Sequence, residues 1–305
     1  MEAPMTSARE ITYKPTRSRD LVPAARVVRL ALNNLRQGTG KKLIRRPIRK
    51  PPPFVVHLFK SNPELCYCAW HGRKIVGFGL AVVRGEQWYL SDLFVHPKYQ
   101  DCKIGKQLMD RVWRDAPGMS HALCTFGYNM QAIGIYSRYG MAVLESLILM
   151  AAKAEHFKRP KPTGLTVVSK ISKADMAWIH AQESHIRGYS HEAEWKYWLA
   201  NKNYRLRVYK EGNKRVGYCL TTVDGIFGPA GAISNRYLVR VIQEYLAAVE
   251  FKKDTVARTF CPTNNTSLYH LLLSCGFRLR EMTVFMSDKR YGDMQRYLPA
   301  DLSVF

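Results

Sequence analysis

The sequence repeats a spaced set of residues about 140 positions apart, and this repeat constrains the fold more than any other feature. The stretch 76–78 reads VGF, and the stretch 216–218 reads VGY. Asn129 and Asn265 are each followed, 11 residues later, by a glycine that precedes a bulky apolar residue. Two regions that share residues at matched spacing are expected to share a backbone conformation. The repeat therefore predicts two copies of one structural unit.

The length of the chain agrees with two domains of ordinary size. It has 305 residues, of which 47% are hydrophobic, and a domain typically has about 100–200 residues. Each half is long enough to bury its own core. Pro160, Pro162 and Gly164 mark a linker between the halves. We therefore predict one domain at 1–159 and a second at 160–305.

Apolar periodicity predicts alternating strands and helices in both halves. Residues 1–18 are expected to form a lead-in without regular structure. The first half is then predicted to form a helix from Asp20, strands at 65–70, 75–83 and 88–95, a helix after 105, a strand at 122–126, a helix at 132–139 and a strand at 147–152. A similar order of strands and helices recurs from 206 to 286. This order predicts an α/β (α+β) fold class.

The charge of the chain is strongly positive and predicts affinity for anions. There are 47 Lys and Arg against 24 Asp and Glu, a formal net charge of +23. Nucleic acid, an acidic membrane face and a phosphorylated cofactor are all compatible with this charge. Six of the ten residues at 41–50 are Lys or Arg, and the prolines that follow disfavour a regular element. This basic run is interpreted as a solvated loop, and a contact with RNA or another anion stays open.

The cysteines favour a reducing compartment. There are seven, an odd number, and no C-x-x-C spacing occurs, so we expect reduced thiols and a cytoplasmic location. The nine histidines do not share zinc-site spacing with the cysteines, and no metal is expected. No apolar segment approaches the length of about 18 residues that a membrane span needs. The N-terminus does not resemble a signal peptide.

The most informative segment is 88–109, in which a predicted strand runs into a loop that opens a helix. Backbone N–H groups and the dipole at such a helix start form an anion site. The segment resembles the acetyl-CoA loop of the GNAT superfamily, Q/R-x-x-G-x-G/A, with Gln100 and Gly105 at its first and last positions. Lys103 replaces the middle glycine, so it either crowds the loop or contacts the pyrophosphate. The resemblance implies that the loop from Gln100 to Lys106, including Lys103, Ile104 and Gly105, binds the cofactor.

A second segment, 129–141, reads NMQAIGIYSRYGM and resembles the GNAT motif N-x-x-A-x-x-x-Y-x-x-x-G-[FM]. The resemblance implies that Asn129 contacts the pantetheine arm of acetyl-CoA and that Tyr136 donates a proton to the departing thiolate. Seven residues separate the two, about two helical turns, so they share a helix face. The resemblance also assigns backbone contacts with pantetheine to Phe94 and Val95. Tyr136 as a merely packed aromatic residue remains the alternative.

The resemblance extends to the acceptor and to the fold. Asp92 resembles the acidic residue that binds the substrate amine in diamine acetyltransferases, although a plain surface or capping role is also open. GNAT domains contain a mixed, mostly antiparallel sheet flanked by helices, and the resemblance implies two of them in tandem. The second copy is predicted to be degenerate, since Leu272 stands at the position of Tyr136 and no cofactor loop follows Gly228. We expect it to hold no cofactor productively.

Two functions follow from these observations. The first is an acyltransferase that moves an acetyl or other acyl group from acetyl-CoA to a primary amine by direct attack, with Tyr136 as the general acid. Its partners would be acetyl-CoA and an amine, either a small molecule or a peptide. The alternative is a non-catalytic basic protein with an inherited fold that binds nucleic acid or other anions. Weak nucleic-acid binding through residues 41–50 would fit either one.

Overall fold

The computed structural model describes residues 11–252, 254–289 and 292–304. Its α-helices are, in chain order, α1 (Leu21–Gly38), α2 (Pro53–Ser61), α3 (Ile104–Val112), α4 (Met130–Ser137), α5 (Lys173–Arg187), α6 (Glu192–Ala200), α7 (Asn235–Ala248) and α8 (Thr266–Ser274). Its strands are β1 (Ile11–Pro15), β2 (Cys66–His71), β3 (Lys74–Arg84), β4 (Gln87–Val95), β5 (Ser120–Phe126), β6 (Ala142–Lys153), β7 (Thr166–Val168), β8 (Tyr204–Glu211), β9 (Lys214–Thr222), β10 (Phe227–Ala232), β11 (Val256–Pro262), β12 (Arg278–Ser287) and β13 (Tyr297–Leu298).

The chain forms two compact units. The first comprises the described residues up to Val83 together with Trp88–Met119. The second comprises Arg84–Gln87 and the described residues from Ser120 onward. The predicted domain boundary at 159/160 lies in the stretch between β6 and β7, which contains only one short 3-10 turn.

The first unit contains strands in the order β1-β2-β3-β4, with helices α1, α2 and α3. The expected lead-in without regular structure is wrong for 11–15, because β1 pairs antiparallel with β2 there. Alternate side chains of ITYKP are half-buried at Ile11 and Tyr13, which is the pattern of an edge strand with one covered face. The rest of that prediction, at 1–10, lies outside the described residues.

The repeated VG(F/Y) stretch has a steric cause. A Cβ atom at Gly77 of β3 would lie 2.9 Å from Leu108 Cδ1 of α3. A Cβ atom at Gly217 of β9 would lie 2.7 Å from Val241 Cγ2 of α7. In both copies, glycine lets a helix pack against the sheet more closely than any side chain would allow. The sequence repeat thus reflects the same helix–sheet contact made twice.

Strands of the two halves are exchanged within the second unit. Its first sheet region has the order β5-β12-β6-β11, and every pairing is antiparallel. Strand β12, which follows α8, therefore pairs with β5, which precedes α4. Strand β6, which follows α4, pairs in turn with β11, which precedes α8. Each helix is thus followed by a strand that completes the sheet of the other copy.

The remaining sheet of the second unit has the order β13-β10-β9-β8-β7. The aromatic stretch at 191–204 packs largely in its core, since Trp195 and Trp198 are almost fully buried. Buried polar groups join them, and Glu183 accepts hydrogen bonds from Trp195 Nε1 at 2.8 Å and from the backbone N–H of His191 at 3.0 Å. Most of this stretch therefore packs in the core of the second unit.

Candidate cofactor and acceptor site

The loop between β4 and α3 has the left-handed backbone conformation expected of its motif, although Lys103 replaces the middle glycine. Asp101 and Lys103 have positive φ angles of 67° and 58°, in the left-handed region. Non-glycine residues rarely occupy this region. Lys103 thus takes the conformation that a glycine would supply at the same motif position, and its side chain is exposed. The backbone of Lys103 therefore does not crowd the loop.

The N-terminus of α3 lacks a cap from the side chain of its own N-cap residue. Lys103 is the N-cap residue and makes no side-chain capping hydrogen bond, so no side chain of that residue satisfies the first N–H groups of the helix. A Cβ atom at Gly105 would meet only Val95 Cγ2, at 3.8 Å, an ordinary contact. The fold itself therefore does not require glycine at 105. The room left there is what a ligand close to the backbone would need.

The charged and polar groups of the loop lie at the surface. Gln100 and Lys106 are exposed. The Lys106 ammonium lies 2.7 Å from Asp110 Oδ2, one turn further along the exposed face of α3. A salt bridge of this kind between exposed groups is weak. It leaves Lys106 able to exchange its partner for a phosphate.

Strand β4 carries the predicted acceptor and pantetheine residues. Asp92, Phe94 and Val95 are all partly buried. Asp92 Oδ2 accepts a hydrogen bond from Ser91 Oγ at 3.2 Å. Val95 packs beside Ile104 in the core beneath α3, together with Leu108 and Val76. Side chains alternate along a strand, so Asp92 and Phe94 point to the face opposite Val95.

Helix α4 in the second unit carries the other two predicted residues. Asn129 is its N-cap residue, and the side-chain oxygen accepts the N–H of Ala132 at 3.3 Å. Tyr136 is 7% exposed, so its ring is held in place by packing. The helix is followed by Gly140 with φ 82°, as a C-terminal glycine requires. Asn129 and Tyr136 therefore lie on one helix at the predicted two-turn spacing.

The second copy repeats this geometry and adds a partner. Asn265 caps α8, and its oxygen accepts the N–H of Leu268 at 3.0 Å. Its side-chain nitrogen donates to the backbone carbonyl of Gln295 at 2.8 Å. Gln295 belongs to a C-terminal segment that continues into β13 and pairs with β10. The side-chain nitrogen of Asn265 is thus hydrogen-bonded to a backbone amide carbonyl. The side-chain nitrogen of Asn129 is the matching donor in the first copy.

The second copy also lacks the proposed acid. Leu272 lies at the position in α8 that Tyr136 has in α4, and it is fully buried. In the second copy, the C-terminal segment lies beside Asn265 and residue 272 carries no hydroxyl. The surroundings of the capping asparagine therefore differ from those in the first copy. The degeneracy of this copy stays a prediction.

One acidic residue near α4, Glu281, was not among the site residues predicted from the sequence. Tyr128, which directly precedes Asn129, donates its hydroxyl to Glu281 Oε1 at 2.9 Å. Glu281 lies on β12, the strand supplied by the second half of the chain. No local motif surrounds Glu281. The sequence does contain one indication of this residue: Glu145 and Glu281 are 136 positions apart, the same spacing as between Asn129 and Asn265.

The cysteines are reduced, and most of them lie in the interior. All seven cysteines are free thiols, and five of them are buried. Burial raises the pKa of the Cys68 thiol to about 12. Across residues 11–252, 254–289 and 292–304, no three His, Cys, Asp or Glu side chains are placed to share a metal ion. No helix in the described part of the chain is both long and apolar enough to cross a bilayer.

Comparison with protein families identifies the segment that holds both motifs. Residues 36–141 match the model of the acetyltransferase (GNAT) family. This range includes the loop before α3, the whole of α4 and the residues that follow it as far as Met141. The predicted resemblance to GNAT proteins is confirmed. No curated protein sequence matches the chain significantly.

Solved structures share the fold over nearly the whole chain. A candidate acetyltransferase from Pyrococcus horikoshii is similar with a TM-score of 0.75 at 14% identity, covering 100% of this chain and 99% of that one. A GCN5-related N-acetyltransferase from Sphaerobacter thermophilus has a TM-score of 0.65 at 13% identity, with 98% and 100% covered. One from Anabaena variabilis has a TM-score of 0.55 at 13% identity, with 91% and 72% covered. These likenesses confirm the predicted fold class of mixed sheets flanked by helices.

Proposed function

We propose that this chain, which carries a GNAT acetyltransferase domain at residues 36–141, transfers an acyl group from acetyl-CoA to a primary amine. Acetyl-CoA is proposed as a substrate held mainly by the first copy, and the second copy is proposed to hold none. Seven free cysteines support the reducing, cytoplasmic setting expected for this reaction.

The N-terminus of α3 carries the proposal. It combines a first turn without a cap from its N-cap side chain, a left-handed residue at Lys103 and a glycine at 105 that the fold does not require. A pyrophosphate accepts hydrogen bonds from free N–H groups and is favoured by the positive end of the helix dipole. Gln100, Ile104 and Lys106 complete the set of residues proposed to hold it. The positive charge of the chain would add a long-range attraction for the anion.

The hydrogen bond between Asn265 and Gln295 supports a pantetheine contact at Asn129. In the second copy the capping asparagine donates its side-chain N–H to a backbone amide carbonyl. The pantetheine arm contains two amide groups of the same chemistry. Asn129 has the same capping geometry as Asn265, and we assign it the same kind of acceptor. The C-terminal segment would keep pantetheine out of the matching place in the second copy.

The chemistry is assigned to residues as follows. Acetyl-CoA supplies a thioester whose acyl carbon bonds to the amine nitrogen as the bond to sulfur breaks. The backbone N–H groups of Phe94 and Val95 are proposed to hold pantetheine and polarise the carbonyl. The hydroxyl of Tyr136 supplies the proton to the departing thiolate, since a phenol with an ordinary pKa of about 10 is protonated at pH 7. The amine attacks in its neutral form, and the proton that its nitrogen loses on becoming an amide restores the Tyr136 hydroxyl. Asp92 is proposed to orient the amine. Holding both reactants accounts for most of the expected acceleration.

Release of free thiol from acetyl-CoA tests the proposal directly. The full chain would be incubated with acetyl-CoA and a panel of primary amines, and thiol appearance followed by a colorimetric reagent. Amine-dependent thiol release that is abolished by heat inactivation is the expected result. The absence of both acetyl-CoA binding and thiol release with every amine would contradict the proposed function.

A second function is favoured by one observation in the first unit. Helix α1 fixes the basic run at 41–50 through its backbone, since Arg29 Nη1 donates to the carbonyl of Arg46 at 2.5 Å and Arg36 Nε donates to that of Lys42 at 2.8 Å. The basic side chains of the run are thereby displayed on the surface, where most of them are exposed. Such an array can bind phosphate backbones.

Binding of a fluorescent single-stranded oligonucleotide tests this second function. The affinity should fall steeply as salt rises from 50 to 200 mM, because phosphate contacts release counterions. Replacing the six basic residues of 41–50 by Gln should abolish binding. A flat salt dependence, or unchanged affinity in the Gln variant, would exclude the basic run as a nucleic-acid site.

A further inference from the structure

The strand exchange brings a carboxylate from the second half of the chain to the N-terminus of α4. Strand β12 pairs with β5, and the ladder extends to the end of β5, where the N–H of Gly127 donates to the carbonyl of Met282 at 3.0 Å. Glu281, the residue before Met282, accepts the Tyr128 hydroxyl at 2.9 Å. A shift in the pairing register with β6 falls between Leu279 and Glu281. Such bulges redirect side chains next to functional sites.

The surroundings of this carboxylate are aromatic and apolar. The rings of Phe126 and Tyr128 are stacked, with centroids 5.3 Å apart and planes at 13°. A Cβ atom at Gly127 would lie 2.7 Å from Met282 Cε, so glycine makes room for the Met282 side chain. Met282 and Met130 are 46% and 69% exposed. A carboxylate flanked by aromatic faces and flexible thioethers suits a cation with an apolar body.

The second copy shows the matching position with the C-terminal segment beside it. Glu145 of β6 stands where Glu281 stands in β12, and it accepts the backbone N–H of Asn264 at 3.3 Å, next to the capping Asn265. A cavity of about 220 Å³ lies there, lined by Glu145, Asn264 and residues 292–295 among others. The place beside the capping asparagine is therefore a recess in the second copy. The C-terminal segment forms one of its walls.

We propose that Glu281 binds the ammonium group of the acceptor, and that the acceptor is a primary monoamine on an apolar or aromatic body. The inference rests on the proposed acyl transfer. Glu281 captures the nitrogen as an ammonium, which loses a proton to water before the neutral amine, oriented by Asp92, attacks the thioester. A carboxylate recognises an ammonium through charge-assisted hydrogen bonds, and the rings of Phe126 and Tyr128 add a favourable face for the cation. The net charge of +23 disfavours polyamines, which carry several positive charges at once. The second half of the chain thus contributes a specificity residue to the first.

The test uses the full chain, phenethylamine as the acceptor and spermidine as the competing class. Glu281→Gln keeps the shape of the side chain and removes its charge, and Glu281→Asp restores the charge on a shorter arm. Glu145→Gln is the matched control, because it makes the same change on the exchanged strand of the other copy. Thermal unfolding of each variant reports whether it folds, and isothermal titration with acetyl-CoA reports whether the donor still binds.

Glu281→Gln is expected to raise the KM for phenethylamine about 10- to 100-fold, the scale of one charged hydrogen bond. Acetyl-CoA affinity should be unchanged, Glu281→Asp should recover part of the KM, and Glu145→Gln should match the wild-type chain. An unchanged KM in a folded Glu281→Gln variant that binds acetyl-CoA would overturn the inference and leave the proposed function standing. A higher kcat/KM for spermidine than for phenethylamine would overturn the assigned acceptor class. Failure of the wild-type chain to bind acetyl-CoA would overturn the proposed function itself, and the inference with it.

Discussion

Replacing Lys103 by glycine should separate the backbone role of this residue from the role of its charge. Lys103 has φ 58° at the N-cap of α3. A non-glycine residue in the left-handed region costs about 1–2 kcal/mol. The extra freedom of glycine in the unfolded chain offsets about 0.5–1 kcal/mol of the gain. Lys103→Gly should therefore raise the free energy of unfolding by about 0.5–1 kcal/mol, or the melting temperature by about 1–3 °C.

The charge of Lys103 should show itself in cofactor affinity instead. An exposed ammonium near a phosphate contributes modestly and is screened by salt. Lys103→Gly is thus expected to change acetyl-CoA affinity less than about fivefold, while Lys103→Glu should weaken it about tenfold or more at low salt because it adds a repulsive charge.

Scanning calorimetry and isothermal titration on three variants check both parts. Lys103→Ala is the matched control, since it removes the ammonium but keeps a side chain on the left-handed backbone. Lys103→Gly should be the more stable of the two, at similar affinity. Equal stability of the Ala and Gly variants would refute the argument from backbone conformation. Unchanged affinity in Lys103→Glu would show that the ammonium does not face the cofactor.

Two further predictions concern catalysis and stability. Tyr136→Phe should slow single-turnover acyl transfer about 10²- to 10⁴-fold with acetyl-CoA affinity retained, while Leu272→Tyr should create no new activity. Full single-turnover rates in Tyr136→Phe would remove Tyr136 as the acid. Burial, aided by Arg187, lowers the pKa of His191 below its ordinary 6.5. Burial raises the pKa of Glu183, but the hydrogen bonds that it accepts from His191 and the charge of Arg187 outweigh burial and hold that pKa at about 2. Both groups bind protons more readily when unfolded, so the free energy of unfolding should fall as pH is lowered from about 6.5 towards 4; a melting temperature that stays constant over this range would contradict the assignment.

Local sequence patterns predicted most elements of the first half because those elements are locally specified. The helix that begins at Ile104 has an apolar stripe, and the helix that ends before Gly140 has a capping asparagine and a C-terminal glycine. The motif positions inside them follow from the same local spacing. Helix α2 was missed because the prolines before Pro53 indicate a break, although Pro53 itself is favoured in a first helical turn.

The strand exchange could not be predicted from local patterns. Strands β6 and β12 follow equivalent helices and have similar apolar content, so either could pair with β5 or with β11. The choice depends on contacts between residues more than 130 positions apart, such as Thr283 with Phe126. Glu281 was missed for the same reason, since its contact with Tyr128 forms only once β12 lies beside β5. Strand β13 has two residues, too few for any periodicity.

The stoichiometry of acetyl-CoA binding tests the central claim most directly. Isothermal titration of the full chain at low salt should give one site per chain, because α3 in the first copy lacks a cap from its N-cap side chain and the second copy has its C-terminal segment beside Asn265. The site should weaken in Lys103→Glu and persist in Asn265→Ala. Two equivalent sites, or no binding at all, would contradict the account.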